Sequence, residues 1–89
     1  MVDSVSGMLN AKQALVVRTV AESITAARER AGLTQRDVAE RLAWFQPTVS
    51  RLERGAHSPT LGTLVQVATA LGCTLVVRLE PVTTPRAGG

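Results

Sequence analysis

Residues 34–55 read TQRDVAERLAWFQPTVSRLERG, and the placing of small, apolar and polar residues in this stretch decides the fold. Thr34 is an N-cap candidate with Asp37 three helical positions on, and Val38, Ala39 and Leu42 form an inward set. That pattern predicts a short helix over about Gln35 to Leu42. Ala43 to Phe45 carry no period. A further apolar pair, Val49 and Leu52, leads to Gly55, which predicts a second short helix over roughly Gln46 to Arg54. Pro47 is tolerated in its first turn, where backbone N–H groups have no intrahelical acceptor. Ala39 is small enough to let the later helix cross close over the earlier one, with Leu42, Trp44, Val49 and Leu52 filling the angle between them.

Working outward, Val17, Ala21, Ile24, Ala27 or Arg28, and Ala31 recur at a 3.6-residue period. They predict a long first helix capped by Asn10 and ended by Gly32, with Leu9 and Leu15 extending its apolar content upstream. On the other side a loop from Gly55 to Pro59 precedes Thr60, the cap of a helix whose stripe is Leu61, Leu64, Val67 or Ala68, and Leu71. Gly72 ends it. The period then changes: Cys73, Leu75, Val77 and Leu79 alternate with Thr74, Val76, Arg78 and Glu80 until Pro81, which reads as a strand. A single strand cannot satisfy its own backbone, so its expected partner is the same strand of a second copy, antiparallel across a two-fold axis. The domain boundaries expected from this reading are a flexible tail over 1–9, a helical domain over 10–72, a dimerisation strand over 73–81 and a second flexible tail over 82–89.

A chain of 89 residues buries about 60–65% of its unfolded surface, enough for one core and no second domain. Its net charge of +3 permits an anionic partner without establishing one. The lone Cys73 cannot form an intrachain disulfide and reads as a small buried hydrophobe. No leader sequence is evident and no apolar run reaches the ~20 residues of a membrane span, so a cytoplasmic location is expected. His57, the only histidine, lies in a loop without other metal-ligand residues at ligand spacing. With no nucleophile–base set, no paired carboxylates and no phosphate loop, neither an enzyme, nor a metal, nor a cofactor is expected.

Two short helices joined by a turn of three to four residues make a helix-turn-helix arrangement. Three patterns in register, LTQxxxAxxL from Leu33, QPTVSRLERG from Gln46 and SPTLxTLxxxAxALG from Ser58, resemble the Xre/Cro-type helix-turn-helix DNA-binding family over about Val20 to Leu71. The tail LGCTLVVRLEP is similar to that of antitoxin-type members whose C-terminal strand pairs across the dimer. The resemblance implies a mainly α, four- to five-helix lambda-repressor-like domain. It implies base contacts by Gln46, Pro47, Thr48 and Arg51, and phosphate contacts by Thr34, Gln35, Arg36, Ser50 and Arg54. It further implies an internal ion pair between Arg28 and Glu53, and a dimer strand carried by Cys73, Leu75, Val77 and Leu79. Phe45 departs from the family's usual Ser or Thr cap. Two placements follow: Gln46 caps with Pro47 as the first helical residue, or the helix start is shifted.

Surface arginines are ordinarily solvated, and Asp37 with Arg41 is an i, i+4 pair worth a few tenths of a kcal/mol. Yet residues 28–54 hold six of the ten basic residues with four acids, so the net charge understates the local patch. The expected function is a homodimeric, sequence-specific repressor of double-stranded DNA that recognises an inverted-repeat operator. The narrower expectation is the antitoxin of a type II toxin–antitoxin module, autoregulating its operon and neutralising a cognate toxin. The alternatives are a free-standing regulator of the same family and a protein-interaction module that binds no DNA.

Overall fold

The computed structural model describes residues 4–82 and contains four helices in the order α1 (Ser4–Arg30), α2 (Gln35–Leu42), α3 (Gln46–Glu53) and α4 (Leu61–Ala70). Helix α2 packs against α3 and α4, and α1 against α3. The core they enclose is Ala21, Ile24, Val38, Ala39, Val49, Leu52, Leu64, Val67 and Leu71, with Val20, Ala27, Leu33, Leu42, Trp44 and Leu75 packed partly against it. None of the buried residues among those described is polar or charged.

Helix α1 begins at Ser4, upstream of the expected Asn10 cap, so Asn10 is an interior helical residue. The apolar period located the start of burial rather than the start of the helix: Leu9 through Val16 are all exposed, and Val17 after them is half-buried. Residues 10–16 contain no glycine, proline or side-chain cap, so the helix propagates through them once it has nucleated. Of the expected N-terminal tail, residues 4–9 are therefore helical, and residues 1–3 lie outside the described part.

At its C-terminus α1 stops at Gly32, whose φ of 72° is the left-handed conformation of a helix end, with Leu33 N–H donating to Arg28 O at 3.1 Å. Thr34 then opens α2 with a capping box: Asp37 N–H donates to Thr34 Oγ1 at 3.0 Å and Thr34 N–H to Asp37 Oδ2 at 2.8 Å. The turn to α3 runs through Ala43, a non-glycine residue at φ 56°. Phe45 occupies the N-cap of α3 without any side-chain cap bond, which puts Gln46 first and Pro47 second in the helix. Gln46 is thus a helical residue and not the cap. The last helix starts at Thr60, whose Oγ1 accepts from Thr63 N–H at 3.1 Å. Leu61, expected in its inward stripe, is 61% exposed and leaves Leu64, Val67 and Leu71 to face the core.

Residues 73–82 form neither helix nor strand in the single chain. Only Leu75 of the expected inward set reaches the core; Cys73 is exposed rather than buried, Val77 is 61% exposed and Leu79 98%. A strand requires a neighbouring ladder, and no helix here presents one. The ion pair Arg78–Glu80, at 3.0 Å, is exposed and holds little. The expected C-terminal tail lies, apart from Val82, outside the described residues.

Candidate nucleic-acid interface

The exposed side of α3 is set by what its other side buries. Val49 and Leu52 point into the core, which turns Gln46, Pro47 and Arg51 to solvent and leaves Thr48 and Ser50 half-buried at the edges. Arg54 follows directly at the C-cap and donates through Nη1 to Ser50 Oγ. Thr34, Gln35 and Arg36 sit together at the start of α2, beside the start of α3. The structure therefore brings Gln35, in the first turn of α2, against Gln46 at the start of α3, and pairs Ser50 with Arg54 at the other end of α3; Thr34 and Arg36 are the exposed chain neighbours of Gln35.

Behind that surface lies a hydrogen-bonded chain linking three helices. Glu53, whose side chain is 5% exposed, receives Arg28 Nε at 2.7 Å on Oε2 and Arg28 Nη2 at 3.0 Å on Oε1. Arg28 also donates through Nη1 to Leu33 O at 2.8 Å. Oε1 of Glu53 accepts further bonds from Thr25 Oγ1 and from Gln35 Nε2, each at 3.1 Å. The other end of the Gln35 amide is in contact as well: its Oε1 accepts from Gln46 Nε2 at 2.6 Å. Burial pushes the Glu53 carboxyl pKa up, but the Arg28, Gln35 and Thr25 donors together outweigh it and hold the pKa below the ordinary 4.5. The bond to Glu53 in turn raises the pKa of Arg28 against the lowering effect of burial. Every buried side-chain polar atom among the described residues has a partner.

Arg28 and Glu53 are thus joined by a two-point contact, α1 to α3. Gln35, which the sequence suggested for a phosphate, bridges Glu53 to Gln46 in the unbound chain. Thr25 and the carbonyl of Leu33 were not anticipated; the available signal for Thr25 was its position one helical turn before Arg28, on the same face of α1. Arg41 faces away from this surface and donates to Ala70 O at 2.8 Å, closing the end of α4.

The electrostatics follow from the same contacts. Glu53 is consumed by Arg28. Asp37 is held in the α2 cap, where the Thr34 backbone N–H and then the Thr34 hydroxyl keep its pKa below the ordinary 3.8. Arg36, Arg51 and Arg54 are exposed and in no ion pair among the described residues, so the surface is locally positive at a net charge of only +3. Among these residues no group of three or more His, Cys, Asp or Glu is placed to hold a metal ion, and no helix is long and apolar enough to cross a membrane.

Residues 19–80 match the family model of a helix-turn-helix domain. The uncharacterized HTH-type transcriptional regulator y4dJ of Sinorhizobium fredii (strain NBRC 101917 / NGR234) is 38% identical over 64 residues, which cover 72% of this chain and 83% of the relative. A second regulator of that strain, y4dL, is 38% identical over 58 residues, 65% of this chain, but the match spans only 30% of y4dL. Among solved structures, the clp gene regulator ClgR from C. glutamicum superposes with a TM-score of 0.63 at 28% identity, covering 65% of this chain and 74% of ClgR.

Proposed function

This chain belongs to the helix-turn-helix family, and on that premise we propose that it is a sequence-specific repressor that reads double-stranded DNA with α3. In this reading α3 enters the major groove, Gln46, Pro47, Thr48 and Arg51 reach base edges, and Thr34, Gln35, Arg36, Ser50 and Arg54 hold phosphates. The observation that carries it is the relay from Glu53 through Gln35 to Gln46. A carboxylate only accepts, so the Gln35 amide turns its NH2 to Glu53 and its oxygen to the NH2 of Gln46. Exposed Gln46 keeps its oxygen and its second N–H for a ligand, an acceptor and a donor of the kind that complement N6–H and N7 of adenine. Arg51, five residues on and one turn beyond Pro47, is exposed and suits guanine O6 and N7.

A homodimer completes the reading. Exposed Val77 and Leu79 support pairing of residues 73–81 with a second copy, which sets two α3 helices in successive major grooves about 34 Å apart on an inverted repeat. The narrower function is that of a type II antitoxin, in which a toxin binds away from α3 while the dimer represses its own operon in the cytoplasm. The similarity of the LGCTLVVRLEP tail to antitoxin-type members supports it. The similarity to y4dJ favours a free-standing regulator, and co-expression with the product of the adjoining gene separates the two: a stable complex supports the antitoxin, and its absence supports the regulator.

The DNA reading is tested by a gel shift of the DNA upstream of the protein's own gene with wild type and Arg51→Ala. Wild type binds, and the variant loses its preference over random-sequence duplex. Equal binding by the two proteins contradicts base readout, and no salt-dependent binding by either supports a protein-interaction module.

A further inference from the structure

The match to the helix-turn-helix family begins at residue 19, so residues 4–18 form a helical extension of about four turns ahead of the shared domain. Between this extension and the loop from α3 to α4 lies an open groove of about 400 Å³. Half-buried Val17 and Gly55 form its floor, and exposed Asn10, Arg18, Arg54 and His57 stand along its sides. Gly55, at φ 67°, brings the loop to the helix: a Cβ there would lie 3.7 Å from Val17 Cγ1 and 3.8 Å from Arg18 Cα. That close approach sets Arg18 of α1 across from Arg54 and His57.

The groove is positive and uncompensated. No carboxylate lines it; α1 carries Lys12 and Arg18 with no acid from Ser4 through Ala21, and Glu22, one turn past Arg18, is outside the lining and forms no ion pair with it. Arg18 and Arg54 are in no ion pair among the described residues. It is also continuous with the proposed reading surface, since Arg54 stands three residues past Arg51, next to it on the same side of α3. We propose that this groove binds the DNA phosphate backbone, with Arg18 and His57 joining Arg54 as phosphate ligands, so that the extended α1 lengthens the footprint beyond the major groove. The proposal rests on the DNA-binding reading and adds to it a contact made outside the shared domain. Guanidinium groups suit the task because they offer paired donors to phosphate oxygens and remain charged.

The test measures affinity of the full chain over a range of salt for a random-sequence duplex and for the DNA upstream of its gene. Arg18→Gln lowers the slope of log K against log salt by about one on both DNAs, since each phosphate neutralised contributes about 0.9. It also removes hydroxyl-radical protection of backbone positions flanking the α3 contact, without altering sequence preference. Arg78→Gln, at the far end of the chain, leaves slope and footprint unchanged. Arg18 is exposed, and an unaltered circular dichroism spectrum confirms that the variant folds. If wild type binds and Arg51→Ala loses preference while Arg18→Gln keeps the wild-type slope and footprint, the groove is not a phosphate site and the base-reading account stands. If wild type binds neither DNA, both fall.

Discussion

Gln46 Nε2 lies 2.6 Å from Gln35 Oε1, so the first residue of α3 is oriented by a side chain of α2 and, through it, by the carboxylate of Glu53. Pre-orientation of this kind lowers the entropy lost when Gln46 meets a base. Gln35→Ala is expected to cost about 1 kcal/mol of discrimination between specific and random duplex, in addition to the loss of its phosphate contact, which weakens binding to both duplexes alike. Competition gel shifts measure the ratio; an unchanged ratio would show that the Gln35–Gln46 contact plays no part in recognition.

The Arg28–Glu53 pair is expected to matter more for the fold than for DNA. Removing one partner leaves a charge in a nearly closed site, with side chains 14% and 5% exposed, and costs about 3–5 kcal/mol. For a domain of this size that is a large share of a total stability of about 5–15 kcal/mol. Urea unfolding of Glu53→Ala should show it. Replacing the pair together, as Arg28→Met with Glu53→Leu, should recover much of the loss, and a double variant as unstable as the sum of the singles would argue against a desolvated pair.

Acid stability carries the same signature. The folded pKa of Glu53 lies below its ordinary 4.5, so its contribution is fully present above about pH 4.5 and is lost as the pH falls through the folded value. Asp37 acts in the same direction from the α2 cap. Tm measured against pH should therefore be flat near neutrality and fall below about pH 4.5, with a shallower fall in Glu53→Gln. Identical acid limbs in the two proteins would exclude Glu53 as a cause.

The two caps predict opposite signs. Thr34→Ala removes a reciprocal capping box and should destabilise by about 1 kcal/mol. Phe45 caps nothing and is 83% exposed, so Phe45→Ser, which offers an oxygen to Thr48 N–H, should stabilise by up to about 1 kcal/mol. Thermal melts of the two variants decide; a destabilising Phe45→Ser would mean that the phenyl ring contributes packing that its exposure does not suggest.

Dimerisation is checked by truncation. A chain ending at Gly72 should sediment as a monomer and bind a half-site weakly. A truncated chain that remains dimeric would move the interface elsewhere, to the exposed Leu9, Leu15 and Val16 of α1.

What the sequence disclosed follows from the range of the interactions involved. The period of Val38, Ala39, Val49 and Leu52 reports burial directly, and Thr34, Thr60, Gly32 and Gly72 are local signals, so the order of the four helices was legible. The upstream end of α1 was not, because the exposed stretch from Leu9 to Val16 carries no apolar period to mark it as helical. Helix α3 begins at Gln46 although no side chain caps it, a start fixed by the turn at Ala43 rather than by a cap residue. The Gln35 bridge joins residues 18 and 11 positions apart, which no pattern within either helix reveals. The alternation in residues 73–80 predicted a strand, whereas these residues form neither helix nor strand in the single chain, because no neighbouring ladder is there to pair with them.

The central claim is most directly measured as the ratio of affinities for the DNA upstream of the gene and for random-sequence duplex at one fixed salt concentration. The account predicts a preference of about a thousandfold or more for wild type, reduced by about 1–3 kcal/mol of discrimination in Gln46→Ala and in Arg51→Ala. Equal affinity of wild type for the two DNAs would contradict it.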